Sequence, residues 1–306
     1  MLREADASPG ALRHVRAGVL DVAFHENGPA DGPAVVLLHG FPYDTHAYAG
    51  VAPLLAARGC RVIVPYLRGF GPTRFVNDTT PRSGEQAALA SDALALLDAL
   101  DIPRAVIAGY DWGSTAACGV AALWPDRCVG LVSFNSYKVQ DITGALKPST
   151  PEDEMRYWYQ WYFHGERGRA GLEQNRHALC KLLWKLWSPG WAFDDAIYAR
   201  SAAAFDNPDF VDVVVHSYRH RYGLVAGDPA YADIQATLAQ MPDVTVSSLT
   251  FDGADDGVMP PAGTGSHAHH FTGPHTHRTV PGVGHNLPQE APQVFADAVL
   301  ELAFPT

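Results

Sequence analysis

Two rhythms of apolar and polar positions alternate along this chain. Short, mostly apolar runs occur at 34–38, 60–65, 104–108 and 128–134, the pattern of strands buried on both faces of a parallel sheet. Between them apolar residues recur at helical spacing. One such stretch runs from Tyr48 to Ala57; a longer one, opened by Ser83 and Gly84, carries Leu89, Leu94, Leu96, Leu97 and Leu100. Residues 15–26 alternate loosely through Val15, Val19, Val22 and Phe24 as an opening strand or hairpin, and the pairs Asn27-Gly28 and Asp31-Gly32 read as turns. Further strands are expected at 244–251 and 276–280, and a C-terminal helix at 291–302. This order predicts an α/β fold with a mostly parallel central sheet flanked by helices.

The rhythm changes near Gln140. From there to about Met241 the chain reads as helical and is rich in aromatics, with Tyr157 to Phe163, then Trp184, Trp187 and Trp191. The simplest account is a helical cap, residues 142–240, inserted after the sixth core strand into a core domain of residues 1–141 and 241–306. Such a cap presents apolar surface to the sheet edge beneath it.

A length of 306 residues suits one core plus a sizeable insertion. The net charge of −11 argues against nucleic acid or an anionic membrane as partner. Cys60, Cys118, Cys128 and Cys180 show no paired spacing, which fits reduced thiols. The N-terminal residues lack an apolar signal core and no stretch reaches membrane-spanning length, so a cytoplasmic location is expected.

Candidate chemistry centres on Val106 to Ser114. An apolar run ends at Gly109, Asp111 sits at a turn, and Gly113 precedes a helix-forming stretch from Thr115 to Leu123. Small residues two before and two after a nucleophile are what a tight strand-to-helix elbow requires. A carboxylate there is ionised at neutral pH and can attack a saturated carbon without a base to activate it. Downstream lie an acidic loop with Asp252, Asp255 and Asp256, then His285, each after an apolar strand. Nucleophile, acid, histidine is the chain order of the α/β-hydrolase fold, and it brings all three to one sheet edge. The loop His39-Gly40-Phe41-Pro42 would set the Phe41 amide beside that of Trp112 as two donors to an oxyanion.

The segments 39–42, 109–114, 159–163, 217–220, 253–257 and 282–286 together resemble the α/β-hydrolase-fold epoxide hydrolases, with haloalkane dehalogenases as near relatives. The resemblance implies Asp111 as nucleophile, His285 as base for water, Asp256 as its orienting acid, and the Phe41 and Trp112 amides as oxyanion hole. It also implies two cap tyrosines, nominating Tyr159 and Tyr218. Tyr157 and Tyr162 compete with the first and Tyr222 with the second, while Asn135 and Asp141 are fallback positions for the acid. The substrate pocket is expected to include His39, Pro42, Trp112, Gln160, Trp184 and Trp187.

Opening an epoxide expels an alkoxide, so an acid must donate a proton as the ring breaks, and a phenol can. Halide release needs no proton, only donors such as Trp112 and a cap tryptophan. The expected reaction is therefore epoxide to vicinal diol through an alkyl ester on aspartate, which histidine-activated water then hydrolyses. Haloalkane dehalogenation by the same groups is the alternative, and a non-enzymatic ligand-binding scaffold is a further one. No cofactor is expected. His267, His269, His270, His275 and His277 lack the cysteine or carboxylate set of a metal site, so no resident metal is expected either. The partners are a small apolar or aromatic epoxide and water; a homodimer is left open.

Overall fold

The computed structural model describes residues 9–261 and 264–305. Residues 1–8, part of the stretch read for a signal sequence, lie outside the described residues.

β1 (Ala11–Ala17) and β2 (Leu20–Asn27) form an antiparallel hairpin. It turns at Gly18, whose φ of 56° suits a residue without a Cβ; the pairs at 27–28 and 31–32 follow the hairpin instead. The parallel strands are β3 (Ala34–Leu38), β4 (Arg61–Pro65), β6 (Ala105–Gly109), β7 (Cys128–Phe134), β8 (Ser248–Gly253) and β9 (His275–Val280), and a two-residue β5 (Arg74–Phe75) pairs only with β2. The sheet order is β1-β2-β4-β3-β6-β7-β8-β9, with β2 antiparallel to β4. The central strand β6 is buried throughout, as its unbroken apolar run requires. β8 begins four residues later than the pattern suggests, because Val244 makes only an isolated bridge to Phe271.

Helices α1 (Val51–Ala57), α2 (Gln86–Ala99) and α3 (Trp112–Leu123) fill the early crossovers. Between β7 and β8 the described chain forms no full strand but six helices: α4 (Pro151–Arg156), α5 (Trp158–His164), α6 (Glu166–Trp187), α7 (Asp195–Ala202), α8 (Phe210–His220) and α9 (Ala232–Leu238), with short 3-10 turns among them. This segment follows the seventh strand in chain order, since β5 adds one to the expected count. α10 (Leu287–Glu290) and α11 (Pro292–Ala303) complete the chain. α1 packs against α11 and α2 against α3, covering the sheet on either side. Among the described residues no helix is long and apolar enough to cross a membrane.

Candidate active site

β6 runs into α3 through two residues, Tyr110 and Asp111, the second held at φ 52° and ψ −121°. A non-glycine residue there is strained, and such strain persists only where surrounding contacts over-determine it. The contacts are visible. A Cβ on Gly113 would lie 1.8 Å from the Leu38 carbonyl oxygen, and one on Gly40 would lie 2.5 Å from the Asp111 Cβ. The tight crossing of the β3 and β6 loops thus depends on both positions lacking a side chain, and it thrusts the Asp111 carboxylate out over the sheet edge.

Each oxygen of that carboxylate has its own partner. The Phe41 amide donates to Asp111 Oδ1 at 2.8 Å, while His285 Nε2 stands 3.4 Å from Oδ2. The Trp112 amide is the first N–H of α3, a donor without an intrahelical acceptor. On its far side His285 Nδ1 is 2.8 Å from Asp256 Oδ2. Asp256 Oδ1 accepts from the Val258 and Met259 amides at 2.9 and 2.8 Å, and Asn135 Nδ2 donates to Oδ2 at 3.2 Å. Asn135 therefore braces the acid, and Asp255 is exposed. Burial alone would lower the His285 pKa, but the Asp256 charge and hydrogen bonds to Asp111 and Asp256 outweigh it and hold the imidazole up at about 9. Burial likewise works against the Asp111 charge, yet the hydrogen bond and charge of His285, with Lys138 and the Phe41 amide, keep its pKa below the ordinary value.

One side of Asp111 is a closed wall of rings. Phe41 stacks on Trp112 with centroids 5.6 Å apart and meets Tyr218 at 5.4 Å; Tyr159 meets Tyr218 at 5.4 Å and Trp187 at 5.0 Å. Trp187 in turn sits edge-on to His285 at 5.2 Å. Burial, then each other's proximity and the Asp111 charge, raise the Tyr159 phenol well above its usual pKa; Tyr218 is raised for the same leading reason. Both stay protonated at neutral pH. Tyr218 Oη and Trp112 Nε1 approach one another without reaching hydrogen-bond geometry, and both atoms are buried with no partner among the described residues. Gln160 links Tyr159 to Tyr222: its Nε2 donates to Tyr159 Oη at 2.9 Å and its Oε1 accepts from Tyr222 at 2.8 Å.

The other side is open. A cavity of about 240 Å³ reaches Asp111 and Trp112, and its walls include Lys138, Gln140, Arg221 and His267. Of the six pocket residues expected from sequence only Trp112 lines it. His39 has both ring nitrogens occupied, Nδ1 at 2.9 Å from the Gly40 carbonyl and Nε2 accepting from the Leu67 amide at 3.1 Å; burial holds its pKa down at about 4. It braces the loop as a neutral ring. Trp184 donates its indole N–H to the Pro42 carbonyl at 2.7 Å and stacks on Tyr43, away from the cavity. Pro42, Gln160 and Trp187 belong to the ring wall and its supports. Lys138 and Arg221 carry no periodic or motif signal in the sequence; the only hint for either is its place, three residues past Asn135 and three past Tyr218.

Among the described residues no group of His, Cys, Asp and Glu is arranged to hold a metal. The late histidines have other roles: His275 and His277 both reach Thr250, at 2.8 and 2.9 Å, and His270 stacks on Tyr137.

Residues 33–292 match the α/β-hydrolase fold family model. The crystal structure of a candidate epoxide hydrolase from Klebsiella pneumoniae superposes with a TM-score of 0.95 at 46% identity, covering 98% of this chain and 99% of that one. Epoxide hydrolase B of Mycobacterium tuberculosis is 34% identical over 45% of this chain and 41% of its own length. A haloalkane dehalogenase of Mycobacterium marinum is 37% identical over 39% of each. The chain thus spans about two fifths of the length of these two curated relatives.

Proposed function

Since the chain belongs to the α/β-hydrolase fold family, we propose that it is an epoxide hydrolase which opens a small epoxide to a vicinal diol through an ester on Asp111. In the first step an Asp111 carboxylate oxygen bonds to a ring carbon, the carbon–oxygen bond breaks, and the oxygen takes a proton from Tyr159 or Tyr218. In the second, water adds to the Asp111 ester carbonyl. His285, oriented by Asp256, accepts the proton, and the Phe41 and Trp112 amides stabilise the oxyanion. The tetrahedral intermediate then collapses: the bond from the Asp111 carbonyl carbon to the substrate oxygen breaks, that oxygen takes the proton of the added hydroxyl, and the diol leaves with the carboxylate restored, while the proton on His285 returns through solvent to the phenolate. Residues 142–240 act as a cap whose α5 and α8 supply the two phenols.

The raised His285 pKa gives the two steps an order. While Asp111 is ionised it helps to hold His285 protonated, and an imidazolium is no base. Esterification removes that negative charge, so the pKa falls and the base becomes available after the ester exists.

The observation that carries the reading is the pairing of a strained, ionised Asp111 with two buried, protonated phenols that feel its charge. Halide release has a use for the unpartnered Trp112 indole, but none for the phenols, and the Trp184 N–H is committed to Pro42. The test is a single turnover with excess enzyme in heavy-oxygen water. The isotope is expected in the Asp111 carboxyl group, and its appearance in the diol alone would rule the ester out.

A further inference from the structure

The cavity that reaches Asp111 contains two cations that no carboxylate among the described residues meets in a direct ion pair, although Lys138 feels the charges of Asp111 and Asp256 at longer range. Among the described residues Lys138 Nζ makes one hydrogen bond, 3.1 Å long, to the Met259 thioether, a weak acceptor. Arg221 lies with its guanidinium carbon 4.7 Å from the Tyr218 ring centroid, and its Nε is buried without a partner. Neither side chain forms an ion pair among the described residues. Two carboxylates share the cavity. Asp111 stands 3.4 Å from His285, which Asp256 also engages at 2.8 Å, and exposed Asp141 spends Oδ1 on the Gly144 amide. His267 is kept neutral by burial, then by the charge of Lys138. Burying unpaired charge is costly unless something completes it.

Resting on the epoxide reading, we infer that Lys138 and Arg221 form an anion subsite and that the preferred substrate is a small epoxide bearing a carboxylate. The pair solves a problem that such a substrate poses. A carboxylate nucleophile repels an anionic substrate, and two cations on the cavity wall offset that repulsion. The arrangement also persists through the reaction: once Asp111 is an ester its charge is gone, and the substrate's own carboxylate remains to balance Lys138 and Arg221. The guanidinium offers paired donors suited to a carboxylate, and the ammonium a point charge. Lys138 and Arg221 line the same cavity as Asp111, with Arg221 lying over the Tyr218 ring, so the acid group can be held beside the phenol while the epoxide ring faces Asp111. This proposal departs from the apolar or aromatic epoxide expected from the cap's composition.

The experiment compares oxirane-2-carboxylate with its uncharged amide of nearly equal size, on the intact protein. For the wild type, kcat/KM is expected to favour the carboxylate at least about tenfold, the difference lying in KM. In Lys138→Met and in Arg221→Met that preference is expected to fall about tenfold, toward unity, while Lys138→Arg retains most of it. Because the readout is a ratio within one protein, a loss of folded enzyme does not imitate it. Turnover of the amide with no preference for the acid overturns the subsite and leaves the epoxide reading standing. Should neither compound react, propionate and propionamide binding by calorimetry decides separately. Propionate binding that both methionine variants weaken at least about tenfold supports the subsite without the epoxide chemistry; equal or absent binding overturns it.

Discussion

The two sides of Asp111 are built from opposite materials. Toward Tyr159 and Tyr218 the carboxylate faces a wall of interlocked rings that leaves its polar atoms few choices of position. Toward Lys138 it faces a cavity lined by charged side chains, among them Arg221, which also packs on the Tyr218 ring. Rigid aromatic packing suits the bond-making step, where a proton donor must stand within hydrogen-bond reach of one atom. Flexible cations suit recognition, where charge matters more than exact direction. On the proposed reading, the contrast assigns reaction to the rings and selection to the cations, with Arg221, which lies over the Tyr218 ring, where the two regions meet.

Several substitutions break or sharpen that division. Asp111→Ala serves both flanks and is expected to lower turnover of any epoxide by at least about 10⁴-fold in a diol assay. His285→Gln acts behind the carboxylate: steady turnover is expected to fall about 10³-fold, with intact mass revealing an enzyme–substrate ester that accumulates. On the closed flank, Tyr218→Phe is expected to slow epoxide opening about 10²-fold, and by the same factor for charged and uncharged substrates. A charge-dependent loss there would erase the distinction between the flanks. Trp184→Phe removes the N–H that reaches the Pro42 carbonyl; a cost of about 1–2 kcal/mol in denaturant unfolding is expected, with kcat/KM changing less than about threefold.

The smallest effect is on stability against pH. The folded His285 pKa, about 9, lies above the ordinary 6.5. Its contribution is therefore fully present below pH 6.5 and is lost as pH rises through about 9. Thermal unfolding midpoints are expected to decline over that window, and His285→Gln is expected to flatten the slope.

Much of this architecture is legible in the sequence because buried parallel strands write themselves as continuous apolar runs. β3 and β7 fall at 34–38 and 128–134 as the pattern places them. β5 is too short to have a period, and the hairpin turn at Gly18 has no two-residue turn signature. At the site, Asp111, Asp256 and His285 stand out since each follows a strand end and sits near glycines. His39 and Trp184 mislead for one shared reason: their polar atoms are claimed by the Leu67 amide and the Pro42 carbonyl, partners that only the folded chain brings near. Lys138 and Arg221 are single polar residues whose meaning comes from a cavity that residues far apart in sequence enclose.

The junction at the end of α6 has a mechanical consequence. The Trp187 carbonyl accepts from the amides of both Gly257 and His285, at 2.9 and 3.1 Å, and Ser188 Oγ accepts from His285 as well. The last turn of the long helix is thereby riveted to the two loops that carry the acid and the histidine. Lifting that corner would pull apart the loops it joins, so the approach of small molecules to Asp111 belongs to the cavity lined by Lys138, Gln140 and Met259, which the rivet leaves untouched.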